Sequence, residues 1–480
     1  VTTDSRHCPE GSLFFALKGA NFDGNQYAAA SLAAGCAAVV VDDALVIPAE
    51  NVAARTDVGV PAPGQHGRYF LVDDVLTALQ QLAAHHRAQF RTWAHPVPVV
   101  GITGTNGKTT TKELLNAVLS RKYRVAATVG NLNNQIGVPL TLLSVTPDHE
   151  LSIIEMGANH PMDIADLCDI VHPDCGLITT VAKGHLLGFG SFEGVVAAKT
   201  KLYESLRRDG GMAFVNLSNP NLVQHVNGLA SVGYSVEESD VLATSFPAGF
   251  QPGKPGTHEG EDLPKAPVVV GRVRSASPLL KLSLSVLGEE VDIDTHLVGA
   301  YNLVNMTAAA AVGCCFGVPT ADIAAALSDY TPSNMRSQLL PLGPGLTAIL
   351  DAYNANPDSM KAALQSFAMY DVPNKQLILG DMGELGAESQ SEHLALLRYL
   401  LPMPFDNILL VGHEMETAFR ALSHDELFAM GTRHTVRCYP TVQDLCADTE
   451  TLRYLLGTVL IKGSRSNALE RVVTVLKEGI

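Results

Sequence analysis

The stretch Val99-Val100-Gly101-Ile102-Thr103-Gly104-Thr105-Asn106-Gly107-Lys108-Thr109-Thr110-Thr111 confines this chain to few architectures. The apolar run 97–102, set between prolines, reads as a buried strand, and 108–121 reads as a helix. Between them lies a Gly-rich turn. Glycines let backbone N–H groups wrap a polyphosphate, and the helix N-terminus adds a favourable dipole. Lys108 supplies a point charge, and a hydroxyl after it can hold Mg²⁺. The common phosphate-loop spacing needs a glycine where Ile102 stands, and Gly101 sits one place early. A strand, such a turn and a helix in that order belong to a mainly parallel sheet with helices on both faces.

The rest of the chain repeats that alternation. Strands are expected at 12–17, 37–41 and 69–72, with helices at 27–34 and 75–90 and polar, loop-like punctuation at 4–6 and 18–24. Further strands are expected at 151–155, 175–181 and 211–216, then an apolar helix at 302–316. The segment 247–267 crowds five prolines and four glycines into 21 residues and reads as a surface excursion. Alternation restarts with strands at 346–351, 376–379, 407–411 and 458–462 and helices at 359–367 and 393–400. A length of 480 residues exceeds what one hydrophobic core organises. Three α/β domains are therefore expected, at 1–95, 96–332 and 333–480.

A formal net charge of −16 argues against a nucleic-acid or anionic-membrane surface, because phosphate backbones are gripped by clustered Lys and Arg. Phosphate recognition must be local. The eight cysteines form no C-x-x-C pair and are too sparse for a disulfide scaffold, which suits a reducing cytoplasm. No apolar run of about 18 residues suggests a membrane span, and the start lacks a signal pattern. The first residue is Val1 rather than Met, so residues ahead of it are expected.

Two strand ends carry candidate chemistry. Glu155 closes the 151–155 run and is followed by Met156-Gly157-Ala158-Asn159-His160, placing an acid where open parallel sheets present ligands. A polyphosphate on the neighbouring loop concentrates negative charge, so a Mg²⁺ held by Glu155 suits the site. The 175–181 strand runs into Ala182-Lys183-Gly184-His185-Leu186-Leu187-Gly188-Phe189-Gly190.

The segment Gly104-Thr105-Asn106-Gly107-Lys108-Thr109-Thr110 resembles the phosphate loop of the muramyl peptide ligases and folylpolyglutamate synthases. That resemblance implies a UDP-sugar-binding α/β domain, a central phosphate-loop ATPase-like parallel sheet and a Rossmann-like C-terminal domain. It also implies ATP bound by 104–110 with Asn302, Arg336 and Asp351, and Mg²⁺, two ions in all, on Thr109, Glu155 and His185. Lys199 matches a lysine that reacts with CO₂ in this family; as a carbamate it becomes an anionic metal ligand. Catalysis is thereby assigned to Lys108, Glu155, His185 and Lys199. The chain departs from the family's usual pattern at Gly184, Leu187 and Lys201. Those departures leave open a second reading, a nucleotide-binding member without catalysis.

Other stretches narrow the expected reaction. Residues 130–139, 351–360 and 379–386 look like those of members that join D-alanyl-D-alanine to UDP-N-acetylmuramoyl-tripeptide. The Asp-Asn-Pro-Arg typical of diaminopimelate addition is absent. Asp4-Ser5-Arg6 and 13–24 resemble the UDP-sugar domain that folylpolyglutamate synthases lack. The resemblance thus places Ser5, Arg6, Asn133 and Asn134 at the substrates, and Asn354, Asn356 and the 462–466 turn near the incoming dipeptide. A monomeric cytoplasmic ligase is the expectation, with neither nucleic acid nor membrane as partner; a diaminopimelate- or lysine-adding ligase is the alternative.

Overall fold

The computed structural model describes residues 1–48, 68–182, 186–236, 268–333, 335–431 and 434–478. The proline-rich segment 247–267 lies outside them. Among the described residues three larger sheets carry the fold, as the α/β reading requires. In the first, the parallel strands Leu13–Phe15, Ala38–Val41 and Tyr69–Leu71 lie side by side, with Ala38–Val41 in the middle.

The second sheet has nine strands. Its centre is Val99–Thr103, flanked by Leu151–Glu155 on one side and Cys175–Ile178 on the other, all parallel. Every residue of these three strands is buried, as expected of strands covered on both faces. Helices Lys108–Leu119 and Leu303–Cys315 pack on one face, while Asp163–Val171 and Phe192–Asp209 pack on the other. Leu303–Cys315 is apolar nearly all round, so it must be buried.

Beyond Met212–Asn216 and Ala230–Val236 the sheet departs from the expected βα alternation. Val269–Ser275 pairs in parallel, and Lys281–Val286 and Glu289–Asp294 then extend the edge antiparallel. Burial alternates along Lys281–Val286, with Leu282, Leu284 and Val286 inside. That period of two marks a strand with one wet face.

The third sheet has six strands in the order Gln338–Gly343, Leu346–Asp351, Gly457–Lys462, Lys375–Gly380, Asn407–Val411, Thr435–Tyr439. Only its first pair is antiparallel.

Helix Val75–Gln89 joins the first two sheets. Asp74 caps it by accepting from Thr77 N at 2.6 Å. Val75 and Leu79 pack on Phe15 and Val40 of the first sheet, whereas Ala83 and the following Phe90 pack on Ile164 and Leu167 beneath the second. Arg87, 2% exposed, reaches Val171 O, His172 O and Asp174 Oδ2 at 2.7, 2.6 and 2.7 Å. The helix is thus bolted at its C-terminal end by a buried charge.

Candidate active site

In the nine-stranded sheet the chain runs from Val99–Thr103 outward to one side, through Val125–Ala127 and Leu151–Glu155, before Cys175–Ile178 starts the other side. That reversal is the switch point at which open α/β sheets bind ligands, outside the carboxyl ends of the strands. The phosphate loop leaves Val99–Thr103 there. Gly107 precedes helix Lys108–Leu119 with φ +82, and a Cβ on it would strike the Asn305 side chain. Only glycine suits that conformation and that space.

The loop is pinned by threonines that the sequence reading placed inside a strand. Cys175–Ile178 stops before Thr179 because Thr179 and Thr180 turn their hydroxyls onto Asn106 O, at 2.6 and 3.0 Å. In return Asn106 N donates to Thr180 Oγ1 at 3.0 Å, and Thr105 N to Thr180 O at 2.8 Å. The amides of Thr105 and Asn106 are thereby used. Those of the helix's first turn, from Lys108 through Thr110, have no intrahelical partner and suit an anion. Lys108 Nζ folds onto Gly104 O and Thr105 O at 2.7 and 3.1 Å. Burial pulls its pKa down, Glu155 opposes this, and Arg336 adds to it.

Glu155 is fully buried at its strand end. Its Oε1 accepts from Thr109 Oγ1 at 3.2 Å and Asn133 Nδ2 at 2.7 Å, whereas Oε2 has no partner among the described residues. Thr109 and Glu155, both expected at a metal, therefore meet. Asn133, expected at substrate, turns its amide to Glu155. Asn134 uses Oδ1 to accept from Ile136 N and Gly137 N at 3.1 and 2.9 Å, ordering the start of helix Gly137–Ser144. His185 and Gly184 lie outside the described residues. Among the described residues no group of three or more His, Cys, Asp or Glu side chains could hold a metal ion.

Lys199 lies on the inner face of helix Phe192–Asp209, 1% exposed. Its Nζ is 3.3 Å from Ala158 O and 5.3 Å from the centre of the Phe189 ring. Burial and then Lys108 push its pKa well down, and Asp163 partly opposes them. Lys201 instead faces outward in an ion pair with Glu204 at 2.7 Å, away from this chemistry.

The third sheet faces the same space. A cavity of about 730 Å³ is lined from one side by the phosphate loop, Asn134 and Glu155, and from the other by Arg336, Asp351 and Asn354. The Arg336 guanidinium lies over the Tyr353 ring, 4.2 Å from its centre, and its Nε has no partner among the described residues. Asp351 and Lys462 end paired strands and form a 2.6 Å ion pair. Asn302 donates to Val298 O at 2.8 Å and accepts from Asn305 Nδ2 at 2.9 Å, while Asn305 accepts from Thr111 Oγ1 at 3.1 Å. Asn356 does not line the cavity; it donates to Asn106 Oδ1 at 2.7 Å. Ser5 and Arg6 also lie off the cavity, and Arg6 is exposed and paired with Asp4 at 2.8 Å.

A phosphate loop at a switch point, a buried acid beside it and an arginine brought across the cavity by a second α/β unit define a nucleotide-using fold of three parts. The chain belongs to the Mur ligase family. Three family models match it in order: "Mur ligase family, catalytic domain" over 1–87, "Mur ligase middle domain" over 102–313 and "Mur ligase, glutamate ligase domain" over 335–465. The chain is 32% identical over 480 residues to the UDP-N-acetylmuramoyl-tripeptide--D-alanyl-D-alanine ligase of Bacillus subtilis (strain 168), covering 100% of this chain and 93% of that one. It is 33% identical over 484 residues to the protein of the same name in Escherichia coli (strain K12), with the same coverage. The crystal structure of MurF from Acinetobacter baumannii superposes with TM-score 0.78 at 27% identity, over 99% of this chain and 93% of that chain.

Proposed function

We propose that this chain joins D-alanyl-D-alanine to UDP-N-acetylmuramoyl-tripeptide at the expense of ATP, in peptidoglycan precursor synthesis. The observation that carries the reading is the shared cavity, in which the phosphate loop and Glu155 face Arg336. A carboxylate oxygen of the tripeptide attacks the γ-phosphorus and ADP leaves. The dipeptide amine then attacks the acyl carbon, losing a proton as phosphate departs. Two neighbouring anions must be held together for the first step, which is chiefly a matter of positioning and charge.

The residues present suit these tasks. The free amides of the first helical turn and Lys108 hold the β- and γ-phosphates; Lys108 is within reach of them by exchanging its two backbone carbonyls for phosphate oxygens. Arg336, over the Tyr353 ring and with Nε unpartnered among the described residues, has a donor to give an anion. The Asn302–Asn305–Thr111 chain braces the start of the same helix and Gly107. Asp351, paired with Lys462, orders the cavity wall beside Ser337, whose N donates to Asp351 Oδ1 at 3.3 Å.

The unpartnered Oε2 of buried Glu155, with the Thr109 hydroxyl beside Oε1, fits a hard cation. Mg²⁺ bound there neutralises phosphate charge; His185 is a further ligand in this reading. Lys199 fits the carbamate assignment, since among the described residues its buried amine bonds a single carbonyl and pairs with no carboxylate. Ser5 and Arg6 serve the UDP end, and Asn354 the incoming dipeptide. The units 1–95, 96–332 and 333–480 divide these tasks.

In this reading the enzyme works as a monomer in the cytoplasm. All eight thiols are free, and no helix among the described residues is long and apolar enough to cross a membrane. The test is phosphate release from ATP with each substrate omitted in turn. Release that needs both the UDP-tripeptide and D-alanyl-D-alanine supports the proposal. Equal release with diaminopimelate or lysine as the amine, or none with any amine, rejects it.

A further inference from the structure

Asn356 was expected at the incoming dipeptide, and its side chain is committed elsewhere. Its Oδ1 caps helix Pro357–Ala368 by accepting from Ser359 N at 2.9 Å, and Ser359 Oγ accepts from Asn356 N at 3.0 Å in return. Its Nδ2 donates to Asn106 Oδ1 at 2.7 Å, and Asn106 Nδ2 approaches Asn356 Oδ1 at 3.4 Å. Asn356 is 5% exposed and Asn106 half-buried, so the pairing is partly sheltered from water. Sheltered amide pairs are electrostatically stronger than wet ones.

Asn106 is thus held at both ends. Its backbone is fixed by Thr179 and Thr180 of the central sheet, and its carboxamide by a helix cap of the third sheet's unit. It immediately precedes Gly107 and the first turn of helix Lys108–Leu119, whose amides face the cavity. A second contact lies along the same seam. Leu187, one of the departures from the family pattern, sits against Gly386, where an added Cβ would lie 2.7 Å from Leu187 Cδ1.

We infer that Asn356 is a positioning residue: through the Asn106 carboxamide it ties docking of the C-terminal unit to the conformation of the phosphate loop. The loop is then fully ordered only when the unit that carries Arg336 is seated. The kinetic part rests on the ligase reading; the part that concerns the loop does not.

The test uses Asn356→Ser, Asn106→Ser and the double variant of the full chain. Serine keeps a helix cap but is too short for the amide pair. Loss of one such pair corresponds to about tenfold. Each single variant should speed hydrogen exchange in a peptide spanning 104–111 by about tenfold, with the melting midpoint unchanged. In the kinetic arm kcat should fall about tenfold with KM for D-alanyl-D-alanine unchanged, and the double variant should lose no more than either single one. Unchanged exchange overturns the inference, as do additive losses. A raised dipeptide KM at unchanged kcat also overturns it, because it assigns Asn356 to the dipeptide instead. If the parent protein lacks ligase activity the functional reading fails, and the exchange arm alone decides the inference.

Discussion

Replacing Glu155 with glutamine should make the metal-free protein more stable while disabling it. The carboxylate is fully buried and, among the described residues, has only neutral donors on Oε1, at 3.2 and 2.7 Å, and nothing on Oε2. Lys108 acts on it only through space, because its ammonium is bonded to Gly104 O and Thr105 O. A buried polar group left unpaired costs about 1–3 kcal/mol, more when charged. Glutamine keeps the shape and can still accept from Thr109 and Asn133, so removing the charge should recover about 1–2 kcal/mol in the absence of metal. For a unit of this size that is a rise of about 2–8 °C in Tm. Scanning calorimetry in a chelator reads it directly. Added Mg²⁺ and ATP should then stabilise the parent more than Glu155→Gln, and turnover of the variant should fall by about 100-fold or more. A variant that melts below the parent in chelator and turns over normally refutes the reasoning.

Three further outcomes follow from the same geometry. Lys108→Ala should fold normally, as circular dichroism would report, yet lose turnover by about 100-fold or more; near-normal kcat would mean that this loop does not hold ATP. Lys199→Ala should be nearly inactive and partly restored by a short carboxylic acid in solution, whereas full activity of the unsupplemented variant would remove the carbamate from the account. Asp174→Ala strips the carboxylate from Arg87, Arg91 and Val99 N and leaves the buried Arg87 charge on two carbonyls. It should cost about 3–5 kcal/mol in urea unfolding, and an unchanged midpoint would show that the charge does not bolt helix Val75–Gln89.

The phosphate loop was readable because its chemistry is contiguous. A buried strand, glycines, Lys108 and a hydroxyl stand in one run, and Glu155 closes its own apolar strand. The three-part α/β plan was readable from alternating apolar runs. What stayed hidden depends on contacts between distant segments. Nothing near Asn133 says that its amide will meet Glu155, and Asn106 and Asn356 pair across a separation of 250 residues. Thr179 and Thr180 look like the end of a β-branched strand until the loop they hold is folded against them. The edge strands Lys281–Val286 and Glu289–Asp294 were missed for another reason. Their burial alternates or stays mostly exposed, and their polar faces break the apolar continuity that marks a buried strand.

The central claim is that ATP phosphorylates the tripeptide carboxylate in this cavity, and oxygen transfer tests it most directly. UDP-N-acetylmuramoyl-tripeptide labelled with ¹⁸O in its terminal carboxylate is turned over with ATP and D-alanyl-D-alanine, and the released phosphate is weighed by mass spectrometry. An acyl phosphate requires one carboxylate oxygen to leave with the phosphorus, so the account predicts phosphate carrying a single ¹⁸O, with ADP as the other product. Unlabelled phosphate, or AMP and pyrophosphate in place of ADP and phosphate, would contradict it.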